Sequence, residues 1–291
     1  MGAKVNVSGH GLSEPLPQQL LGELEDLAVA AARAAGQFIV QERPRGLGVV
    51  GTKSSINDVV TVMDQQSEAL LRAHLLGARP DDAILGEEDG ASEGTSGITW
   101  VIDPIDGTVN YLYQIPAYCV SVAAVIGDAG TPGQWQPVAG AVCNPLTAEV
   151  YHARVRGGAY VLRDEQDTAI EVNPVDVLLE SLVATGFGYR AEVRARQGEV
   201  LAAILPEIRD IRRAGSAALD LCAVACGTVD AYYESGLNPW DLAAGWLIAT
   251  EAGAVVSGLN HMPPGAAAVV AAGPGIHGSL LSRLEALAPL R

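Results

Sequence analysis

Two aspartates stand three residues apart at the end of an apolar segment, Trp100-Val101-Ile102-Asp103-Pro104-Ile105-Asp106-Gly107-Thr108. The apolar residues predict a strand, so Asp103 and Asp106 emerge where it ends, a place where functional groups are common. Gly107 permits a close approach of the backbone, and the Thr108 hydroxyl beside a carboxylate can orient or deprotonate a water molecule. A plain turn that caps a helix explains the same residues, and this segment alone leaves both interpretations open.

Three further acidic residues also lie at the ends of predicted elements. Glu87 follows a short apolar strand, Asp241 begins an apolar helix, and Asp64 occupies the last position of a capping-box pattern that starts at Thr61. Each one alone has an ordinary explanation as a helix cap or a solvated turn. Taken with Asp103 and Asp106, they predict an oxygen-rich cage of the kind that binds Mg²⁺, a cation that also binds substrate phosphates.

The charge balance limits the ligands that such a site can serve. Eighteen Lys and Arg against thirty-four Asp and Glu give a formal charge of −16. This field repels phosphate backbones and anionic lipid surfaces, so neither nucleic acid nor a membrane is the expected partner. A small phosphorylated ligand needs local positive charge, which metal ions, helix N-termini or a few arginines can supply.

The composition is that of a globular protein, with 49% hydrophobic and 18% charged residues over 291 positions. No apolar stretch reaches the roughly twenty residues of a membrane-spanning helix, and the first residues do not resemble a secretory signal. Four scattered cysteines are too few for a disulfide framework. We therefore expect a cytoplasmic protein whose cysteines are reduced.

The elements that position the acidic residues follow from the apolar periodicity. Helices are predicted over 18–42, 64–76, 194–205, 216–226, 239–252 and 279–287. Short strands are predicted over 83–85, 98–102, 119–126, 138–142, 150–155, 159–162, 231–234 and 266–271. No linker is long enough to separate two domains, so two sheets with layered helices fit best.

Three segments resemble the signature segments of the inositol monophosphatase family and occur in the same order. They are Gly86-Glu87-Glu88, Asp103-Pro104-Ile105-Asp106-Gly107-Thr108, and Trp240-Asp241 with the Ala- and Gly-rich helix that follows. The similarity runs from Lys53 to Gly253 and is greatest to the bacterial inositol-1-monophosphatases. The resemblance implies an α/β fold of layered α+β type, an αβαβα sandwich like those of inositol monophosphatase and fructose-1,6-bisphosphatase. It also implies a single catalytic unit over 1–291, with a metal-binding half of roughly 1–155 that contains the larger sheet and a second half, 156–291, with the smaller sheet.

The resemblance also assigns roles to individual residues. Glu87, Asp103 and the Ile105 carbonyl oxygen would hold one Mg²⁺, while Asp103, Asp106 and Asp241 would hold a second. Glu87 would also support a third, weaker ion, and Thr108 with Asp64 would position and activate the attacking water. The expected substrate contacts are Ile105, Asp106, Gly107, Thr108, Arg212, Ser216, Ala217, Glu234 and Asp241.

The function implied is Mg²⁺-dependent, Li⁺-sensitive hydrolysis of myo-inositol 1-phosphate by a homodimer. Related enzymes act on histidinol phosphate, fructose 1,6-bisphosphate or 3′-phosphoadenosine 5′-phosphate, and these remain alternative substrates. A non-catalytic role in the transcription machinery is an alternative of another class.

The pattern Gly273-Pro274-Gly275-Ile276-His277-Gly278 has the outline of a dinucleotide fingerprint, but the thirteen residues after it cannot complete such a site.

Overall fold

The computed structural model describes residues 16–52 and 59–287, and the predicted loop lysine Lys53 lies outside them. Within these residues the helices are α1 Gln18–Gln41, α2 Val62–Ala78, α3 Thr108–Tyr113, α4 Ala191–Ile204, α5 Ala217–Ala225, α6 Pro239–Glu251 and α7 Pro274–Leu287. The strands are β1 Gly51–Thr52, β2 Val59–Val60, β3 Ala83–Gly86, β4 Gly90–Ser92, β5 Ile98–Asp106, β6 Cys119–Gly127, β7 Trp135–Asn144, β8 Glu149–Arg154, β9 Gly158–Arg163, β10 Gln166–Ala169, β11 Leu182–Thr185, β12 Asp210–Arg212, β13 Ala231–Glu234, β14 Val255–Ser257 and β15 Val269–Ala272.

The larger sheet has eight strands in the order β10-β9-β8-β7-β6-β5-β3-β4, and all its pairs except β3 with β5 are antiparallel. Strand β6 is buried on both faces from Cys119 to Ile126, because helices cover the sheet on both sides. Strands β9 and β10 continue the sheet to Ala169. The boundary near residue 155 is therefore wrong for the sheet, because two successive antiparallel pairs extend it past that point.

The smaller sheet has five strands in the order β12-β11-β13-β15-β14. Three buried apolar clusters lie between the layers of helices and sheets. Helices α1 and α2 pack on the outer face of the larger sheet, α5 and α6 lie between the sheets, and α7 covers the outer face of the smaller sheet with the end of α4. The layered αβαβα architecture predicted for the chain is thereby confirmed.

The first helix shows how local sequence produces one of these layers. Leu21, Leu24, Ala28, Ala31 and Ala35 recur at three- and four-residue spacings and are all buried against the larger sheet.

No helix within 16–52 or 59–287 has the length and apolar character needed to cross a membrane. The four cysteines are free thiols.

Candidate active site

An irregularity at the end of β5 brings its two aspartates together. Asp103 pairs with Ser121 and Asp106 pairs with Cys119, so β5 advances three residues while β6 advances two. In a regular strand, side chains three residues apart point to opposite faces, and the extra residue of a bulge reverses this. One carboxylate oxygen of each aspartate thus lies within 4.8 Å of the other.

The third member of this group comes from the second half of the chain. Asp241 lies in the first turn of α6, where its Oδ2 accepts a hydrogen bond from the Asn238 backbone N–H at 2.6 Å. A carboxylate oxygen of Asp241 lies within the same 4.8 Å of those of Asp103 and Asp106. We call these three residues the carboxylate cluster.

Burial and mutual repulsion make the carboxylate cluster unfavourable in its fully charged form. Loss of solvent, then the charges of Glu87 and Asp106, raise the pKa of Asp241 well above its ordinary value. Burial also raises the pKa of Asp106, although hydrogen bonds from Ser216 and from the Ala218 backbone act in the opposite direction. A divalent cation removes this repulsion, and carboxylate oxygens are the ligands that Mg²⁺ prefers, so the residues present fit such an ion.

Two more predicted ligands border the carboxylate cluster. Glu87 follows directly after β3 and lines the same cavity as Asp103 and Asp241. The Ile105 side chain is fully buried in the core beneath α1 and α2, which fixes the backbone between the two aspartates of β5. Ile105 also lines the cavity. The structure therefore brings all five predicted metal ligands to one place.

A buried hydroxyl and carboxylate stand next to the carboxylate cluster. Thr108 Oγ1 lies 3.0 Å from Asp64 Oδ1 and 3.1 Å from the Ile105 carbonyl oxygen. The second oxygen of Asp64 accepts from the backbone N–H of Thr61 at 2.8 Å and from its hydroxyl at 2.6 Å. This capping box fixes Asp64 at the start of α2, with Oδ1 directed at Thr108.

The N-terminus of α5 holds Asp106 in place. Ser216 Oγ donates to Asp106 Oδ2 at 2.6 Å, and the Ala218 backbone N–H donates to the same oxygen at 2.8 Å. Ser216 is also the N-cap of α5 and accepts from the Leu219 backbone N–H. A strand end of the larger sheet is thus joined to a helix that packs between the sheets.

These groups line one cavity of about 660 Å³. Its walls include nearly all the predicted site residues, namely Glu87, Asp103, Ile105, Asp106, Gly107, Thr108, Ser216, Ala217, Glu234 and Asp241. Asp64 lies behind Thr108, fully buried. The volume is within the range of small-molecule binding sites.

Glu234, at the end of β13 in the smaller sheet, lines the cavity, and its charge acts on the buried Asp220 of α5. Glu234 Oε2 accepts a hydrogen bond from the Tyr232 hydroxyl at 2.6 Å, and its carboxylate lies against Gly186, where a Cβ atom would clash with it. Burial raises the pKa of Glu234 to about 7. Burial, with the charges of Glu234 and Asp106, raises the pKa of Asp220 to about 8.

The structure does not bring Arg212, a predicted substrate contact, to the cavity lining. Arg212 lies on the edge strand β12, more than half exposed, and pairs with Asp210 at 2.7 Å. The next residue, Arg213, lines the cavity instead. Successive residues of an extended chain point in opposite directions, so one of two adjacent arginines faces the cavity and the other faces solvent.

The cavity also contains residues that the sequence analysis missed. Phe187, Tyr189 and Arg190 lie on the loop after β11 and line the same cavity as the carboxylate cluster. The glycines at 186 and 188 were a usable signal, because glycines that follow a strand often mark a loop that approaches a ligand. That strand was itself not predicted.

Known proteins similar to this chain align with nearly all of its length. The model of the "Inositol monophosphatase family" matches residues 20–288. The chain belongs to the inositol monophosphatase family. A Mycobacterium tuberculosis protein named inositol-1-monophosphatase SuhB is 45% identical over 280 residues, which cover 92% of this chain and 94% of that protein. The solved structure of Mycobacterium tuberculosis SuhB superimposes with a TM-score of 0.73 at 42% identity, covering 96% of this chain and all of the other.

Other relatives carry a different name. A Vibrio cholerae protein named Nus factor SuhB is 35% identical over 246 residues, covering 82% of this chain and 88% of that protein. Membership of the inositol monophosphatase family supports a phosphatase, and a small phosphorylated substrate, for the chain. The two sets of names leave the particular substrate open.

Proposed function

We propose that this protein is a Mg²⁺-dependent phosphate monoester hydrolase that converts myo-inositol 1-phosphate to myo-inositol and phosphate. The observation that carries the proposal is the carboxylate cluster, which stands beside the Thr108–Asp64 pair in one cavity. The cavity combines a hard-cation site with a group that can hold a water molecule, as metal-assisted hydrolysis requires.

The cation sites follow from the donors present. Glu87, Asp103 and the Ile105 carbonyl oxygen would hold one Mg²⁺, and the carboxylate cluster of Asp103, Asp106 and Asp241 would hold a second, with a third weaker ion near Glu87. When bound, these ions supply positive charge that neutralises the phosphate and favours both the attacking and the leaving oxygen. They also supply the local positive charge that a phosphorylated ligand needs in order to bind a chain with a net charge of −16.

Thr108 and Asp64 position the nucleophile. When the Thr108 hydroxyl donates its hydrogen bond to Asp64 Oδ1, at 3.0 Å, its lone pairs are left to accept a hydrogen bond from a water molecule in the cavity. Asp64 is anchored by Thr61, so the Thr108 hydroxyl has a defined direction. The pair therefore orients one lone pair of water toward the phosphorus and can take up its proton.

The remaining cavity residues hold the substrate. Gly107 adopts a positive φ of 94°, and a Cβ there would lie 2.9 Å from the Ala117 carbonyl oxygen, so this position requires glycine. Gly107 and Thr108 line the cavity, and their backbone would receive the phosphate. Ile105 and Asp106 complete that end of the cavity. The hydroxyls of the polyol would meet a second group of residues, Ser216, Ala217, Glu234 and Asp241, with Arg213 in place of Arg212.

Histidinol phosphate, fructose 1,6-bisphosphate and 3′-phosphoadenosine 5′-phosphate remain alternative substrates for the same mechanism. Li⁺ sensitivity and a homodimeric state are further parts of this proposal that rest on the family resemblance. A transcription role is the second candidate, because relatives at 35% identity are named Nus factor. The intact carboxylate cluster and the charge of −16 favour the hydrolase, since neither feature serves direct contact with nucleic acid.

Phosphate release from a panel of these four substrates tests the proposal. We expect turnover with Mg²⁺, none in excess chelator, and the highest kcat/KM for myo-inositol 1-phosphate. Asp103→Asn and Asp241→Asn should abolish turnover while the protein remains folded by circular dichroism, because each removes a charged ligand without emptying the core. Full activity in chelator, or near-normal turnover by Asp241→Asn at saturating Mg²⁺, would contradict the mechanism.

A further inference from the structure

A second cavity lies mainly on the outer side of β13 and adjoins the active-site cavity. The two share the lining residues Gly186, Val193, Glu234, Ser235 and Gly236. Side chains alternate along this strand, so Tyr232 packs between the sheets while Tyr233 belongs to the outer apolar cluster beneath α4 and α7. The cavity beside Tyr233 has a volume of about 340 Å³. We call it the outer cavity.

The walls of the outer cavity are mainly apolar. Helix α4 contributes Val193 and Val200, β15 contributes Val270, and α7 contributes Leu284 and Leu287. Its volume falls at the lower end of the range for small-molecule sites, which are typically apolar with a few polar groups that orient the ligand. The outer cavity has this composition.

Two polar groups in the outer cavity can orient a ligand. The Tyr233 side chain is 9% exposed, and its hydroxyl is buried without a hydrogen-bond partner among the described residues. A buried hydroxyl in this state is costly, so it marks a place for a hydrogen-bond acceptor. Arg196, on the exposed side of α4, also lines the cavity and adds a positive charge.

The charges around the outer cavity favour an anion there. Arg196 and Glu234 are its charged lining residues, and Glu234 directs its carboxylate to Tyr232 on the other face of β13. A guanidinium and a phenol both donate hydrogen bonds, and a carboxylate can accept from both. The chain's charge of −16 opposes an anion here as well, so binding depends on the local positive charge of Arg196.

We propose that the outer cavity binds a small apolar carboxylate of roughly ten heavy atoms. Its apolar body packs against the valines and leucines of α4, β15 and α7. Its carboxylate accepts hydrogen bonds from the Arg196 guanidinium and the Tyr233 hydroxyl. The site is separate from the carboxylate cluster, so this inference does not depend on the proposed phosphatase reaction.

Gln197 connects the outer cavity to the loop that lines the active site. Its Nε2 lies 3.3 Å from the Ser235 carbonyl oxygen and 3.2 Å from Ser235 Oγ, and its Oε1 accepts from the Gly188 backbone N–H at 2.9 Å. Gly188 and Ser235 both line the active-site cavity. A ligand that orders α4 will therefore also order the loop at 186–190.

Calorimetric titration of the full chain with octanoate, in chelator and without any phosphate ester, tests the proposal. We expect one saturable site in the wild type. Val200→Phe fills the apolar part, and Arg196→Gln removes the charge, so each should weaken binding at least tenfold. Tyr233→Phe keeps the ring but removes the donor and should weaken it severalfold. Arg156→Gln, an exposed arginine in the turn between β8 and β9, is the matched control and should bind normally.

Two further measurements locate the ligand. Octylamine has the same apolar length with the opposite charge and should give no saturable binding, whereas equal binding would show that charge plays no part. Hydrogen exchange with octanoate should slow at 193–200, 266–270 and 186–190. Absence of saturable octanoate binding, unchanged affinity in Arg196→Gln, or protection confined to other segments would overturn the proposal. If Val200→Phe does not fold, Arg196→Gln still tests the proposal, because Arg196 is exposed and its substitution leaves the fold intact.

Discussion

Thr108 offers one proton to two acceptors of similar distance, Asp64 Oδ1 at 3.0 Å and the Ile105 carbonyl oxygen at 3.1 Å. The choice matters for chemistry, because the hydroxyl must keep a lone pair for water while it donates its proton inward. Asp64 is fully buried behind Thr108, so a proton donated to Asp64 points away from the cavity, and the Ile105 carbonyl oxygen stays available to a cation. The position of the attacking water thus depends on the Thr108 hydroxyl, whose direction is set by its hydrogen bond to the buried Asp64.

Removal of this hydroxyl should affect turnover far more than substrate affinity. We expect Thr108→Ala to lower kcat by roughly a hundredfold, the scale of a proton-transfer group, with a smaller change in KM. Steady-state phosphate release at saturating Mg²⁺ measures both constants. Thr108→Ser keeps the hydroxyl and is the matched control, with much of the activity retained. A change confined to KM would make Thr108 a binding residue.

The two adjacent arginines give a second test at single residues. Arg213→Gln should raise KM for a phosphorylated substrate severalfold, because the guanidinium lines the cavity that receives it. Arg212→Gln is the matched control and should leave both constants within about twofold, since Arg212 pairs with Asp210 at an exposed strand edge. The opposite ranking in steady-state kinetics would show that the family resemblance assigned the contact correctly.

These arginines also show where prediction from sequence ends for single residues. Asp103, Asp106 and Asp241 could be found because each belongs to a local motif at an element end. Arg212 and Arg213 differ only in the direction that each side chain takes from an edge strand. That direction depends on how β12 pairs with β11, which is a tertiary contact and leaves no local signal.

Two helix starts serve both the fold and the site. At α2 the Asp64 Oδ2 atom accepts from the Thr61 backbone N–H, and at α6 the Asp241 Oδ2 atom accepts from that of Asn238. A cap normally contributes about 1 kcal/mol to helix stability. Here it also fixes the rotamer of a functional carboxylate, so the cap and the site do not compete for the residue.

The elements that the sequence analysis missed have common physical causes. Strand β11 is four residues long and pairs in parallel with two distant strands, so its stability comes from tertiary contacts rather than from a local pattern. Helix α7 begins at Pro274, five residues before the predicted start, because proline suits a first helical turn. Gly275 is required there, since a Cβ would clash with the Val175 carbonyl oxygen and with Asp176. Gly273 and Gly275 of the fingerprint pattern thus serve packing, whereas a Cβ at Gly278 would meet nothing within 4 Å.

A buried charged network joins helix α1 to the larger sheet. Glu25 Oε1 contacts His152 Nδ1 at 2.8 Å and Glu25 Oε2 accepts from Arg154, while His152 Nε2 contacts Asp167 at 3.0 Å. Burial opposes ionisation of both groups, but the hydrogen bonds prevail, so the pKa of Glu25 is lowered and that of His152 is raised. Glu25 and His152 are therefore both charged between pH 4.5 and pH 6.5, which are the ordinary pKa values of the two side chains.

The stability of this junction should depend on pH with a definite sign. The contribution of His152 is complete below pH 6.5 and is lost as the pH rises through its raised pKa, whereas that of Glu25 is lost only as the pH falls through its lowered pKa. We expect His152→Gln to lower the free energy of unfolding by about 1–3 kcal/mol at pH 6, and by less at pH 8.5. Urea denaturation at both values measures this.

A matched control for the network is Glu165, which lies in the turn between β9 and β10 and also contacts α1. Glu165→Gln breaks an exposed ion pair with Arg33 and should change stability little at either pH. If His152→Gln destabilises the protein equally at pH 6 and pH 8.5, the loss comes from packing and not from charge.

At the scale of the whole molecule, the site is assembled from both sheets. Asp64, Glu87, Asp103 and Asp106 come from the first part of the chain, while Ser216, Glu234 and Asp241 come from the elements of the second. The order of these motifs could be predicted, because each is local. The convergence of Asp103, Asp106 and Asp241 within 4.8 Å could be expected only from the family resemblance, since contacts across more than a hundred residues leave no periodic signal.

This convergence places repelling carboxylates in the middle of the protein, so the metal should influence the stability of the whole fold. In chelator, Asp241→Asn should be at least as stable as the wild type, because the amide removes one buried charge and can still accept from the Asn238 backbone N–H. With Mg²⁺ the wild type should become more stable than Asp241→Asn. A cation at a hundred times its Kd stabilises the native state by about 2.7 kcal/mol, which in a chain of this size raises Tm by several degrees.

The comparison is made by thermal melts of both proteins across a Mg²⁺ series, with Asp210→Asn as the control at an exposed carboxylate. The wild type and the control should both gain Tm with Mg²⁺, and Asp241→Asn should gain far less. Ca²⁺ should also stabilise the wild type but should not support phosphate release, because its larger radius and irregular coordination misplace the reacting oxygens. A wild-type Tm that does not respond to either ion would show that the carboxylate cluster is not a cation site. A gain of equal size in Asp241→Asn would place the cation elsewhere.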